Sequence, residues 1–146
     1  MDTLKAMKIA KESLPMDKFE HSMQVAIYAD EICLSMDYTK RGEVAAVAIL
    51  HDVLEDASDE VKANLHSIFG AELSTSQYQA LKLLTKAKDE SYVDYIKAIR
   101  KASLKNDCGE IAYIVKLADM KDHLSRVETL TDRLKEKYLE GLRYLI

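Results

Sequence analysis

The sequence predicts an all-α chain folded as one compact helical bundle, and three observations carry that expectation. Apolar residues recur at spacings of three and four along most of the chain, while strand-like alternation is hard to find. One proline and four glycines leave little punctuation between elements. At 146 residues, 48% apolar and 32% charged, the chain suits a single domain over 1–146 with a sizeable core.

Helices are expected near 2–13, 18–35, 40–55, 58–69, 74–86, 91–104, 108–128 and 131–145. Pro15 divides the first from the second, because it lacks an N–H and pushes Leu14 out of the helical region. The third contains seven consecutive apolar residues, Val44 to Leu50, and is expected to be buried on all sides. Ser58 and Thr131 can cap helix starts by accepting orphan N–H bonds. Gly70, after Leu65, Ile68 and Phe69, is expected to stop the fourth helix in a left-handed conformation. Lys101 to Asp107 reads as a loop. No repeat, low-complexity segment or linker interrupts the chain.

The formal net charge of −4, with no patch rich in Lys and Arg, argues against a nucleic-acid partner. The apolar runs are too short to span a bilayer. Met1 to Lys5 leads into mixed charge rather than a signal-peptide pattern, so a cytoplasmic location is expected. Cys33 and Cys108 lack metal or redox spacing, Cys33 reads as a small core residue, and no disulfide is expected.

The three most apolar segments each carry ionisable residues. His21 opens the second helix, His51 and Asp52 close the Val44–Leu50 run, and Asp119 ends the apolar stretch Ile111 to Ala118. An unpaired charge in such surroundings costs several kcal/mol or neutralises itself. Convergence of His21, His51, Asp52 and Asp119 on a divalent cation resolves that cost. Adjacent residues leave a helix about 100° apart, so His51 and Asp52 form a site only with other helices. Two imidazoles and two carboxylates suit manganese, iron, cobalt, nickel or zinc better than calcium. Glu55 and Asp56 follow one helical turn after His51 and Asp52, where acids can hold or deprotonate water.

Blander readings stand beside these. Asp119 also reads as a buried partner of Lys116 or Lys121. Asp122 and His123 either join the site or only share its helix face. His66 lacks acidic companions and reads as a structural or surface residue. The tyrosines at helical spacing read as core rather than as a base-stacking platform.

The segments FEHSMQVA, AAVAILHDVLEDA, IFGAEL, LLTK and IVKLADMKDHL resemble the HD-domain phosphohydrolases. They are closest to the hydrolase domain of the RelA/SpoT-type alarmone enzymes and the small stand-alone alarmone hydrolases. The resemblance runs from about Phe19 to Val127. It implies an HD-domain helical bundle and a manganese ion, or another divalent transition metal, held by His21, His51, Asp52 and Asp119. It implies that Glu55 and Asp56 handle the attacking water, and that the reaction releases the 3′-pyrophosphate of (p)ppGpp. The partner so implied is a small nucleotide substrate, with a homo-oligomer left open. Lys86, in LLTK, matches a basic position of the family and faces either phosphate or solvent. Two features depart from the family. Its basic, Pro-Tyr-containing segment is replaced by Lys11 to Glu20, where Lys11 and Lys18 are the only cations, and His123 stands where the family tends to place an Asn near the ribose. Lys18, Lys86 and His123 are therefore the expected substrate contacts. Two alternatives remain: an HD-type phosphomonoesterase acting on nucleoside monophosphates, and a non-catalytic nucleotide-binding regulatory domain.

Overall fold

A computed structural model of the protein describes residues 1–55 and 57–146. Among them are eight helices: α1 (Thr3–Ser13), α2 (Met16–Ser35), α3 (Arg41–Leu50), α4 (Asp59–Glu72), α5 (Thr75–Leu83), α6 (Tyr92–Ser103), α7 (Asp107–Ser125) and α8 (Asp132–Leu145). The described residues contain no strand. No helix among them is long and apolar enough to cross a membrane.

Starts of the helices are set by local chemistry. Asp2, Ser58, Ser74, Ser91, Asn106 and Thr131 each accept a backbone N–H of the first turn that follows. Ser74 and Gln77 form a reciprocal capping box.

Packing is organised around α7, which touches α2, α3, α5, α6 and α8. Its apolar residues Ile111, Ala112, Ile114, Val115, Ala118 and Met120 are all buried, so it has no solvent face over that stretch. Helix α3 links two cores. Val44, Val47 and Ala48 join the core around α7. Ala46, Ile49 and Leu50 join a second core with α1, α4 and α5. Gly109 lets α7 start against the end of α6, because a Cβ there would overlap the Ala102 carbonyl. Cys33 is buried and Cys108 half-buried, and both thiols are free.

Three of the boundaries that differ from expectation have a visible physical reason. The third helix ends at Leu50 rather than near residue 55, and residues 51–55 form turns. The His51 ring takes the Ala48 carbonyl at 2.7 Å, and the backbone tightens to i→i−3 bonds from Val53 to Leu50 and from Glu55 to Asp52. Gly70 does not stop α4, and no glycine adopts a positive φ. The stripe Leu65, Phe69 and Leu73 faces the second core at successive turns, and this packing carries the helix on to Glu72. The expected loop from Lys101 to Asp107 shrinks to Leu104–Asn106, since α6 continues to Ser103 and Asn106 already caps α7.

Candidate metal centre

Three elements deliver the ionisable residues to one point. α2 presents His21, the turns after α3 present His51 and Asp52, and α7 presents Asp119. Asp119 Oδ1 lies 2.9 Å from His21 Nε2, 3.4 Å from His51 Nε2 and 3.1 Å from His123 Nε2. Asp52 Oδ2 lies 3.3 Å from His51 Nε2 and 3.8 Å from His21 Nε2. His21, His51 and Asp119 are buried, whereas 26% of the Asp52 side chain is exposed. The centre is therefore reachable from the Asp52 side.

Hydrogen bonds fix the tautomers. The Ala48 carbonyl can only accept, so His51 Nδ1 carries the proton that it donates there. The Asp122 carboxylate accepts from His21 Nδ1 at 2.5 Å and is held in turn by Arg126 Nε at 2.6 Å. A carbonyl or carboxylate behind each imidazole is the arrangement found behind metal-ligating histidines. His51 Nε2 is buried and makes no hydrogen bond among the described residues, although two carboxylates face it.

The electrostatics agree. Burial alone would lower both imidazoles, but Asp119 outweighs it at His21, and Asp52 and Asp119 outweigh it at His51, so both are raised. Burial alone would raise Asp119, but Lys116 and then His123, His21 and His51 hold it well below the usual carboxylate range. A centre that attracts protons this strongly also attracts a cation, and a divalent metal would take the protons' place. The donors fit such an ion: His21, His51 and Asp52 lie within one ligand sphere, as do His21, Asp119 and His123.

Asp119 pairs with Lys116, as one of its sequence readings expects, and still faces the histidines. Its Oδ1 faces the histidines while its Oδ2 accepts from Lys116 Nζ at 2.7 Å. Lys121 turns away to Glu31. Asp122 and His123 both join the site. His123, expected near a ribose, aims its Nε2 at Asp119 and stacks on Tyr138 with ring centroids 4.6 Å apart. His66 is exposed and bonds the Tyr78 hydroxyl, away from the centre.

Glu55 stands beside the centre, its Oε1 accepting the Lys86 backbone N–H at 3.3 Å, and burial pushes its carboxyl up. Asp56 lies outside the described residues. Two cavities open from the cluster and share Asp52, Glu55 and His123. The smaller, about 140 Å³, is walled by Lys86, Lys116, Lys137, Tyr92, Tyr95 and Tyr138. The larger, about 390 Å³, is walled by His21, Asp17, Lys18, Arg126 and Thr129. Lys18 and Lys86 thus line different cavities beside the centre. Lys137 and the gathering of the three tyrosines escape sequence reasoning, which reads Lys116 only as a partner of Asp119, because α6, α7 and α8 meet there and none carries a local signal. Of these, Tyr95 and Lys116 are buried and Tyr92 packs half-buried against the main core, so the expectation that the tyrosines are core holds for Tyr95 and Tyr92, while Tyr138 stands half-buried at the cavity.

The family model described as the HD domain matches residues 19–135, from the start of α2 into the first turn of α8. No curated protein and no solved structure matches the chain.

Proposed function

The chain belongs to the HD-domain family and is of the metal-dependent phosphohydrolase type, and from that premise we propose that it hydrolyses a nucleotide pyrophosphate of the (p)ppGpp kind. One observation carries the choice of substrate class. The donor cluster opens onto a cavity walled by Lys86, Lys116 and Lys137, a cationic wall suited to a multiply charged phosphate.

The metal ligands in this reading are His21, His51, Asp52 and Asp119, with His123 a further donor. A divalent transition metal held there supplies Lewis-acid charge and brings the pKa of water toward neutrality. The remaining work falls to side chains. Ala48 and Asp122 keep the two Nε2 lone pairs aimed inward. Lys116 holds Asp119 ionised. Glu55, with Asp56, takes the proton from the attacking water. The Glu55 carboxyl is raised above the ordinary value although the side chain is largely exposed, which makes it a stronger base than an ordinary glutamate, and such proton transfer contributes about 10²–10⁴-fold. The water oxygen bonds to the phosphorus nearest the ribose, the bond from that phosphorus to the 3′ oxygen breaks, and the 3′ oxygen leaves with the electron pair and is protonated. Lys18 and Lys86 contact the substrate from either side of the centre.

Chromatography of ppGpp digested by the manganese-loaded protein tests the reading. GDP with pyrophosphate is the expected result. Untouched ppGpp, alongside orthophosphate released from a deoxynucleoside monophosphate, would replace it with a phosphomonoesterase.

A further inference from the structure

The two cavities that meet at Asp52, Glu55 and His123 differ in size and charge. Sites for nucleoside-sized ligands occupy about 300–1,000 Å³. The larger cavity, about 390 Å³, falls in that range and the smaller, about 140 Å³, does not. At roughly 30 Å³ per water, the smaller one holds a handful of waters or one compact anion.

Its three lysines are not equivalent. Lys116 is committed to Asp119 Oδ2. Lys86 Nζ donates to the Ala87 carbonyl at 2.9 Å. Lys137 lies over the rings of Tyr92, at 4.6 Å, and Tyr138, at 5.7 Å, and no carboxylate among the described residues pairs with it. Burial and then the Lys116 charge hold its ammonium below the ordinary value, against the opposing charges of Glu55 and Asp119. Lys137 thus faces the cavity without a carboxylate partner among the described residues, while the carboxylates that also line it, Asp52, Glu55 and Asp119, belong to the donor cluster and its flank. Gly141, one turn after Lys137, permits the approach. A Cβ there would stand 2.8 Å from the Tyr92 ring and 2.9 Å from the Met120 methyl, so a side chain would force the Tyr92 ring or its neighbours to shift. Lys137 and Tyr138 also lie beyond residue 135, where the family match ends.

We propose that the smaller cavity is a subsite for a phosphate-type anion, either the departing pyrophosphate or orthophosphate, and that Lys137 of α8 is its specificity-determining cation. The nucleoside then lies in the larger cavity, beside Lys18 and Arg126. This placement of the two ends of the substrate rests on the reading under Proposed function, but the anion subsite can be tested without turnover.

The experiment is calorimetric titration of the manganese-loaded protein with inorganic pyrophosphate, orthophosphate and guanosine. Lys137→Ala is compared with Lys137→Arg and with Lys135→Ala, which removes the same charge from an exposed position of the same helix. Lys137→Ala should weaken pyrophosphate or orthophosphate binding about 10-fold, the loss expected for one charge-assisted hydrogen bond. Lys137→Arg should retain most of the affinity. Lys135→Ala should bind both anions as wild type does, and none of the three variants should alter guanosine binding or melting temperature. Equal losses in Lys137→Ala and Lys135→Ala would overturn the subsite in favour of a general field effect. Wild-type protein that binds neither anion would overturn it outright. Lys137-dependent anion binding in a protein that hydrolyses no nucleotide supports the subsite while removing the proposed reaction.

Discussion

His21, His51 and Asp119 are 7%, 3% and 4% exposed, whereas Lys86, His123 and Tyr138 beside them are half-buried and Lys137 is exposed. The buried set sits on α2, α7 and the end of α3, elements whose apolar faces make the main core. The wall is completed by the segment after α5 and by α8, at the edge of the bundle. Changes in the buried set must therefore disturb folding and metal affinity together. Changes at the less buried cations of the wall, Lys86 and Lys137, should alter recognition alone.

Asp119→Ala breaks that contrast most severely. It leaves the Lys116 ammonium buried without its carboxylate, and removing one partner of a buried pair costs about 3–5 kcal/mol. Urea unfolding should show a loss of this size, and elemental analysis should show lost metal. A wild-type urea midpoint would mean that Lys116 does not depend on Asp119. Stripping metal from the wild-type protein is the milder form of the same break. Restoring manganese at one hundred times its dissociation constant should raise stability by about 2.7 kcal/mol, read as a higher melting temperature. A melting curve that ignores both chelator and manganese would remove the metal centre.

Glu55→Gln and Asp56→Asn separate chemistry from ligation. Each should lower turnover about 10²-fold or more while metal content stays near wild type. If metal falls in step with activity, these acids belong with the ligands. Gly109→Ala disturbs the core but not the site. The new Cβ would collide with the Ala102 carbonyl, and overpacking of this kind costs about 1–3 kcal/mol or more. Denaturation should register that loss while the folded fraction keeps its metal stoichiometry. Lys86→Ala, in the wall, should change least. A rise of about 10-fold in the Michaelis constant is expected for one lost charged contact, with unfolding within about 0.5 kcal/mol of wild type. A large stability loss there would show that the wall is part of the core after all.

Much of the fold was legible because its signals are local. Pro15, Ser58 and Thr131 divide or cap helices through groups within a few residues of the boundary. The apolar periodicity of α2, α3 and α7 predicts their burial, and burial in turn makes His21, His51 and Asp119 conspicuous. Where local and distant demands competed, the distant ones won. Gly70 has the right chemistry for a helix stop, yet the Phe69 and Leu73 contacts carry α4 past it. His51 looked like one more residue of a long helix, but the helix ends there with the His51 ring bonded to the Ala48 carbonyl, and Asp52 and Glu55 line the cavities.

By itself the sequence determined an all-helical bundle of the HD-domain type and the set of two histidines and two aspartates at its centre, because burying such groups without a shared counter-charge is too costly to arise casually. Only the tertiary structure decided that Asp122 backs His21, that His123 points at Asp119 rather than outward, and that Lys116, Lys137 and three tyrosines wall the neighbouring cavity. These residues come from helices α6, α7 and α8, and no pattern within any one of them encodes how closely the others approach. That approach is set by packing, by Gly109 where α7 starts against α6 and by Gly141 where α8 settles onto Tyr92.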